Sequence, residues 1–231
     1  MFFISSSNIQ QILKVETIAN ENEEIIGKDN VSLLLADDHS MIRRGLKFFL
    51  QVSLGCRNIT EVASCSDLLR EVSKNQYTHL ILDIILKDGN SLEIIPSLQK
   101  LAPDLKIMIF SMQPAEIYGP AVQQYRIFHY IHKSEGEESI LKKLNAFLKN
   151  ESSTTEKGTR SYSTNPFSTL APRELEILHY ILRGYGTKQI GETLNLQMST
   201  ISTVKNRIFE KTKASNLKEL LDLAVLYNIN Y

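Results

Sequence analysis

Three acids, one hydroxyl and one amine recur at the same kind of place along this chain. Asp83 closes the apolar run His79-Leu80-Ile81-Leu82. Asp37 and Asp38 close Val31-Ser32-Leu33-Leu34-Leu35-Ala36, Ser111 closes Lys106-Ile107-Met108-Ile109-Phe110, and Lys133 follows Phe128-His129-Tyr130-Ile131. Each run has the length and aliphatic content of a buried strand. In a parallel sheet the C-terminal strand ends share one edge, where open α/β folds bind their ligands. Five residues far apart in the chain then converge on one pocket.

The chemistry of such a pocket is specific. Clustered carboxylates repel one another, and one of them is pushed toward protonation unless a cation intervenes. Mg²⁺ suits the place: it prefers oxygen ligands and binds through one or two carboxylates together with water and phosphate oxygens. Asp38 and Asp83 are the expected direct ligands, with Asp37 acting directly or through water. Asp83 is also the expected nucleophile, because a carboxylate can accept a phosphoryl group. Mg²⁺, the Lys133 ammonium and the Ser111 hydroxyl then hold the phosphoryl oxygens. Singly, each residue has a plainer role: Asp37-Asp38 as a helix cap, Asp83 as a turn residue, Lys133 as a solvated cation. Only the joint pattern separates the two readings.

The elements that position these residues alternate. Strand-like runs near 31–36, 59–63, 79–83, 107–111 and 128–131 are interleaved with helical stretches near 40–52, 66–75, 91–101, 114–124 and 136–148. This order predicts a parallel sheet with helices on both faces and right-handed crossovers. Residues 149–167 are Ser/Thr-rich and nearly devoid of apolar side chains, which marks a linker. Beyond it the strands stop, and 172–183, 187–194, 199–212 and 216–228 read as four helices of a small all-α domain. The expected division is therefore an N-terminal extension of unassigned role (1–28), an α/β domain (29–148), the linker (149–167) and a helical domain (168–231).

Composition bounds the remaining classes. The 231 residues carry 26 basic and 26 acidic side chains, so any nucleic-acid contact must be a local face. No uninterrupted apolar stretch of about 18 residues exists, which argues against a membrane span. The N-terminus lacks the pattern of a signal peptide. Cys56 and Cys65 are too few for a disulfide framework and read as free thiols in a reducing cytoplasm. In the tail, two short helices joined by a tight turn (Asn195-Leu196-Gln197-Met198) precede a third with Ile201, Val204 and Ile208 on one face. Its other face carries Ser202, Thr203, Lys205, Asn206 and, nearby, Arg207, as in a helix-turn-helix or a solvated bundle helix.

The segment Leu80-Ile81-Leu82-Asp83-Ile84-Ile85-Leu86-Lys87-Asp88-Gly89 resembles the phosphoacceptor motif of bacterial response-regulator receiver domains. Asp37-Asp38, Ser111 and Tyr130-Ile131-His132-Lys133 match that family's acidic pair, switch hydroxyl, switch aromatic and lysine. The stretch from Leu170 to Ala224 is similar to the LuxR-type DNA-binding domain of the NarL/FixJ regulators through Pro172-Arg173-Glu174, Gly184, Lys188, Ile190, Leu194, Thr200-Ile201, Ile208, Lys211 and Asn216. The resemblance implies a flavodoxin-like, doubly wound five-stranded sheet, phosphotransfer from a histidine kinase to Asp83, and rotamer changes of Ser111 and Tyr130. It also implies double-stranded DNA as partner, with residues 199–212 in the major groove. Ser202, Thr203 and Asn206 then approach base edges, Lys188, Lys205, Arg207 and Lys211 contact phosphates, and the last helix supports a homodimer.

The chain departs from the family at several places, among them Thr212 where leucine is usual. Lys87 stands where proline is usual, and Arg126-Ile127-Phe128-His129 replaces a Gly-Ala-x-Gly turn, so the backbone before the fifth strand is expected to run differently. Ala171 occupies a usual Ser/Thr helix cap. Bulky Ile85 beside Asp83 is expected to restrict water and slow dephosphorylation. Three other readings fit parts of the pattern: a regulator that uses the receiver only as a dimer scaffold, a Mg²⁺-dependent phosphatase with an aspartyl intermediate, and a structural adaptor.

Overall fold

A computed structural model describes residues 31–151, 165–227 and 229. The extension assigned to 1–28 and most of the linker lie outside these residues. Five parallel strands form one sheet in the order β2-β1-β3-β4-β5. They are β1 (Ser32–Ala36), β2 (Asn58–Val62), β3 (His79–Leu82), β4 (Lys106–Ser111) and β5 (His129–His132). The helices between and after them are α1 (Ser40–Leu54), α2 (Cys65–Lys74), α3 (Ile95–Leu101), α4 (Ala115–Gln123) and α5 (Glu137–Leu148). This is the doubly wound sheet expected from the alternation of strands and helices.

The two-residue period of the strands feeds two cores. Leu33, Leu35 and Ile81 face Leu46, Leu50, Leu144 and Phe147, while Leu34, Ala36, Leu80 and Leu82 face Leu68, Leu92, Leu98 and Ile117. All four residues of β3 are buried, as a central parallel strand covered on both sides requires. The register then fixes the functional edge. Ala36 pairs with Leu82 and Leu82 with Ile109, so Asp37 and Asp83 leave the sheet side by side. The Asp83 amide donates to the Ala36 carbonyl and the Lys133 amide to the Ser111 carbonyl, at 2.8 and 2.9 Å.

Two local features differ from the sequence reading. Residues 91–101 do not form one helix. A 3-10 turn covers Ser91–Ile94 and α3 begins at Ile95, because Pro96 lacks an amide hydrogen and fits only a helix's first turn. Between β3 and that turn lies a small hairpin whose antiparallel ladder pairs Ile85 with Asn90 and Leu86 with Gly89. At the missing glycine turn, Arg126 itself adopts the left-handed conformation (φ 60°), and the Ile127 amide closes back on the Val122 carbonyl. A non-glycine residue there costs about 1 kcal/mol or more, which burial of Ile127 offsets.

The second unit is all-helical: a 3-10 turn Pro166–Thr169, then α6 (Pro172–Leu182), α7 (Thr187–Leu194), α8 (Met198–Thr212) and α9 (Leu217–Leu226). Phe167, at the end of the segment read as linker, is fully buried. Ala171 supplies no side-chain cap to α6; instead the Glu174 carboxylate reaches back to accept the Ala171 amide at 2.8 Å. The turn between α7 and α8 is tight enough that a Cβ on Gly191 would meet the Leu196 carbonyl oxygen at 2.8 Å, so only glycine fits. Ile201, Val204 and Ile208 of α8 point inward as their spacing requires. No helix among the described residues is long and apolar enough to cross a membrane.

Candidate functional site

At the C-terminal edge of the sheet, β1 delivers Asp37 and Asp38, β3 delivers Asp83, β4 ends in Ser111, and Lys133 follows β5. Asp83 is almost fully buried. Its Oδ1 accepts the Ser111 hydroxyl at 2.6 Å and its Oδ2 accepts the Lys133 ammonium at 2.5 Å. Lys133 also touches Asp37 Oδ2 at 2.6 Å, so one ammonium bridges two buried carboxylates. Tyr130 directs its hydroxyl to the Gln113 carbonyl at 2.8 Å. Every residue assigned to the phosphoacceptor site therefore lies at one edge, and Ser111 and Lys133 contact Asp83 directly.

The electrostatics of the pocket are opposed. Burial pushes the Asp83 carboxyl up and wins, although the Lys133 charge, its hydrogen bond and that of Ser111 pull the other way; Asp37 adds repulsion. For Lys133, burial alone lowers the ammonium, but the charges of Asp83 and Asp37 and their hydrogen bonds outweigh it and raise it. Unit charges about 4 Å apart interact by roughly 4 kcal/mol at an effective dielectric near 20, and the Lys133 ammonium is the largest of the favourable influences on the buried Asp83 carboxylate.

Two neighbours escaped the sequence reading. His39 places Nδ1 at 2.6 Å from Asp38 Oδ1, and with Asp37, Asp38 and Asp83 it forms a group whose ligand atoms all lie within 4.8 Å of one another. Its position directly after the acidic pair was the available signal. Ser91 donates to the Asp83 carbonyl at 2.7 Å and fixes the backbone beneath the acceptor; nothing in its sequence context marked it. A donor set of three carboxylates fits a hard divalent cation with water completing its shell.

The second face is α8. Ser202, Thr203, Asn206 and Arg207 are exposed on it, Lys205 is partly exposed with its ammonium 5.8 Å from the Phe209 ring centroid, and Lys188 projects from α7. Lys211 stands apart from them. Its ammonium is 2.6 Å from the buried Glu174 carboxylate and 3.2 Å from the Thr169 carbonyl, so it ties α8 to the start of α6.

A buried aspartate held by a hydroxyl and an ammonium on a five-stranded parallel sheet, joined to a helix-turn-helix, defines a signalling protein with a separate DNA-reading part. Residues 33–145 match the model of the response regulator receiver domain, and residues 168–224 match that of the bacterial regulatory proteins of the luxR family. The chain belongs to the two-component response regulators that combine these two domains. It is similar to the oxygen regulatory protein NreC of Staphylococcus carnosus, with 29% identity over 210 residues covering 84% of this chain and 97% of that one. Its fold is similar to that of RcsB from Salmonella. One RcsB structure has a TM-score of 0.72 at 23% identity, over 87% of this chain and 99% of that one. Another, RcsB bound to the promoter rprA in the presence of phosphomimetic BeF3-, has a TM-score of 0.70 at 23% identity, over 84% and 98%.

Proposed function

We propose that Asp83 accepts a phosphoryl group from a histidine kinase and that this modification controls DNA binding by α8. The observation that carries the reading is the pairing of both Asp83 oxygens, one with Ser111 and one with Lys133, in a buried pocket beside Asp37 and Asp38. In the transfer, the N–P bond of a phosphohistidine breaks as an O–P bond forms at Asp83. The electron pair of the broken bond stays on the imidazole nitrogen, which takes its proton from water. Lys133 and Ser111 are placed to follow the phosphoryl oxygens and offset their charge. Asp37, Asp38 and Asp83 are the residues to hold Mg²⁺, which when bound neutralises the carboxylates and the phosphoryl oxygens together. The protein acts as an acceptor of phosphoryl groups rather than as an enzyme turning over a substrate, and it works in the cytoplasm, where kinase output and DNA meet.

In the DNA-binding role, Ser202, Thr203 and Asn206 face base edges while Lys188, Lys205 and Arg207 reach phosphates. Lys211 contributes there only by leaving Glu174. Exposed Leu217, Val225 and Leu226 on α9 suit a homodimer that sets two α8 helices on neighbouring half-sites; a related structure shows RcsB dimers on DNA. The test is incubation with Mg²⁺ and acetyl phosphate followed by intact-mass measurement. The wild type should gain one phosphoryl group and Asp83→Ala none. No gain in the wild type, or a gain that survives Asp83→Ala, contradicts the proposal and favours a scaffold that works without phosphorylation.

A further inference from the structure

Helix α1 carries an apolar stripe that no element among the described residues covers. Met41, Phe48 and Val52 are 76%, 65% and 66% exposed. Spacings of seven and four residues put the three on one line along the helix, opposite to Leu46, Leu50 and Leu54, which are buried in the core. Gly45 lies on the same line. A Cβ there would meet nothing within 4 Å among the described residues, so packing inside the domain gives no reason for glycine, a poor helix former, in mid-helix. Lacking a side chain, it leaves a notch between Met41 and Phe48 that another segment can enter. Single apolar residues on a surface are ordinary; a stripe along the whole of one helix is a contact surface.

The charge along α1 has one sign. From Ser40 to Asn58 the chain carries Arg43, Arg44, Lys47 and Arg57 and no acid. Glu61 of β2 is shared by Arg43 and Lys47, at 3.5 and 2.8 Å, so the face keeps an excess of positive charge, with Arg44 exposed beside the stripe. A second copy of the same helix would set these charges against their like. An apolar segment with acids fits better. Residues 1–28, the extension of unassigned role, have that composition. Ile9, Ile12 and Leu13 fall at spacings of three and four, and from Val15 to Gly27 there are Glu16, Glu21, Glu23 and Glu24 and no base. The chain also enters at the right place. Val31 packs against the cluster that holds Leu50 and Leu54, on the α1 side of the sheet. Ser32 Oγ accepts a bond from Asn58 Nδ2 at 3.1 Å, just past the end of α1. Helix α1 is roughly 22 Å long and ten extended residues span roughly 33 Å, so the segment from 9 to 24 can reach the stripe.

We propose that residues 1–28 fold back onto α1, with Ile9, Ile12 and Leu13 on the stripe of Met41, Gly45, Phe48 and Val52 and the glutamates against its basic surround. The segment is a tethered cover. Tethering makes the contact intramolecular, so its occupancy is set by effective concentration and not by the amount of protein. One end of the covered face borders the pocket edge, since α1 starts directly after Asp37, Asp38 and His39. A protein partner that binds along α1 must first displace the cover, and loses affinity by the cost of doing so. The proposal goes beyond the phosphorylation reading and does not depend on it, because it concerns the outer face of α1 and not the pocket.

The test uses the full chain with the photoreactive residue benzoylphenylalanine in place of Phe48, whose exposure leaves the core intact. After irradiation of dilute protein, peptide mass mapping identifies what the probe has reached. The expected product is a cross-link within one chain to residues 1–28. Ile12→Asp together with Leu13→Asp, made in the same chain, should reduce its yield about ten-fold or more, since two apolar side chains lose their burial. Glu21→Lys with Glu23→Lys and Glu24→Lys should also reduce it, more in low salt than in high. A cross-link to a second copy assigns the face to self-association and overturns the cover. So does the absence of any product with residues 1–28, or a yield that ignores the aspartate pair, which marks the product as random encounter with a tethered segment. A yield unaffected by the three lysines overturns the match of charge on which the choice of occupant rests.

Discussion

The two working regions of this protein are built on opposite principles. In the receiver pocket, charged side chains are withdrawn from water and satisfy one another, with Lys133 joining Asp37 and Asp83 and Ser111 completing the acceptor. On α8, Ser202, Thr203, Asn206 and Arg207 are exposed. The pocket is organised before any partner arrives, which is what phosphoryl transfer requires, since donors must already stand where charge develops. In the proposed function the helix face meets its counter-charges only on DNA, whose phosphates supply them. Lys211 marks the border: it lies on the helix proposed to read DNA but is held by the buried Glu174 carboxylate.

Breaking the pocket should have the larger effect. Lys133→Ala removes the cation shared by two buried carboxylates and one of the two groups on Asp83. It is expected to slow labelling by acetyl phosphate about 100-fold, the usual cost of losing one preorganised charge-stabilising donor. A change of less than about three-fold, on the same scale, would contradict the role given to Lys133. On the helix, Lys205→Ala with Arg207→Ala should weaken binding to DNA of most sequences and reduce the salt dependence by about two phosphate contacts. Lys211→Ala should instead act on folding, lowering the stability of the helical domain by about 1–2 kcal/mol as Glu174 loses its partner, with the salt slope kept. A salt slope reduced by Lys211→Ala as much as by the other two would move Lys211 back to the DNA.

The pH response sharpens the same contrast. Transfer needs Asp83 ionised, and burial raises its carboxyl above the ordinary value near 3.8. In protein free of Mg²⁺, acid should therefore protonate Asp83 at a higher pH than it protonates an exposed aspartate, as followed by NMR of the labelled carboxyl carbon. Lys133 is raised as well and keeps its charge through the neutral range. A titration of Asp83 at the exposed-aspartate position in the absence of Mg²⁺ would show the pocket to be more solvated than its geometry indicates. The smallest effect expected is at Ile85, where Ile85→Asn should shorten the phosphoryl lifetime a few-fold by admitting water; an unchanged lifetime would remove Ile85 from the account.

The strand ends were legible because each apolar run stops at a polar residue, and because a parallel register turns five such stops into one edge. The inward face of α8 was legible for a similar reason, through the three- and four-residue spacing of Ile201, Val204 and Ile208. What stayed hidden depends on contacts between distant segments. The pairing of Lys211 with Glu174, the bond from the Asn90 amide to Glu176, and the bond from Ser91 to the Asp83 carbonyl have no local signature, since each needs two turns or loops to meet in space. His39 was hidden for another reason: a histidine after two aspartates reads as a helix-start residue until its ring is seen against Asp38. The break at Pro96 was open to a reading that placed proline only in a first turn.

The measurement that bears most directly on the switch joining the two regions is DNA affinity before and after treatment with Mg²⁺ and acetyl phosphate. It should be made at one fixed salt concentration, on a fragment selected from random sequence by the protein itself. Wild-type protein should bind more tightly after treatment, and Asp83→Ala should bind with the same affinity in both conditions. Equal affinity of the wild type before and after a verified phosphoryl gain, or tightening that persists in Asp83→Ala, would contradict control of the helix by the pocket.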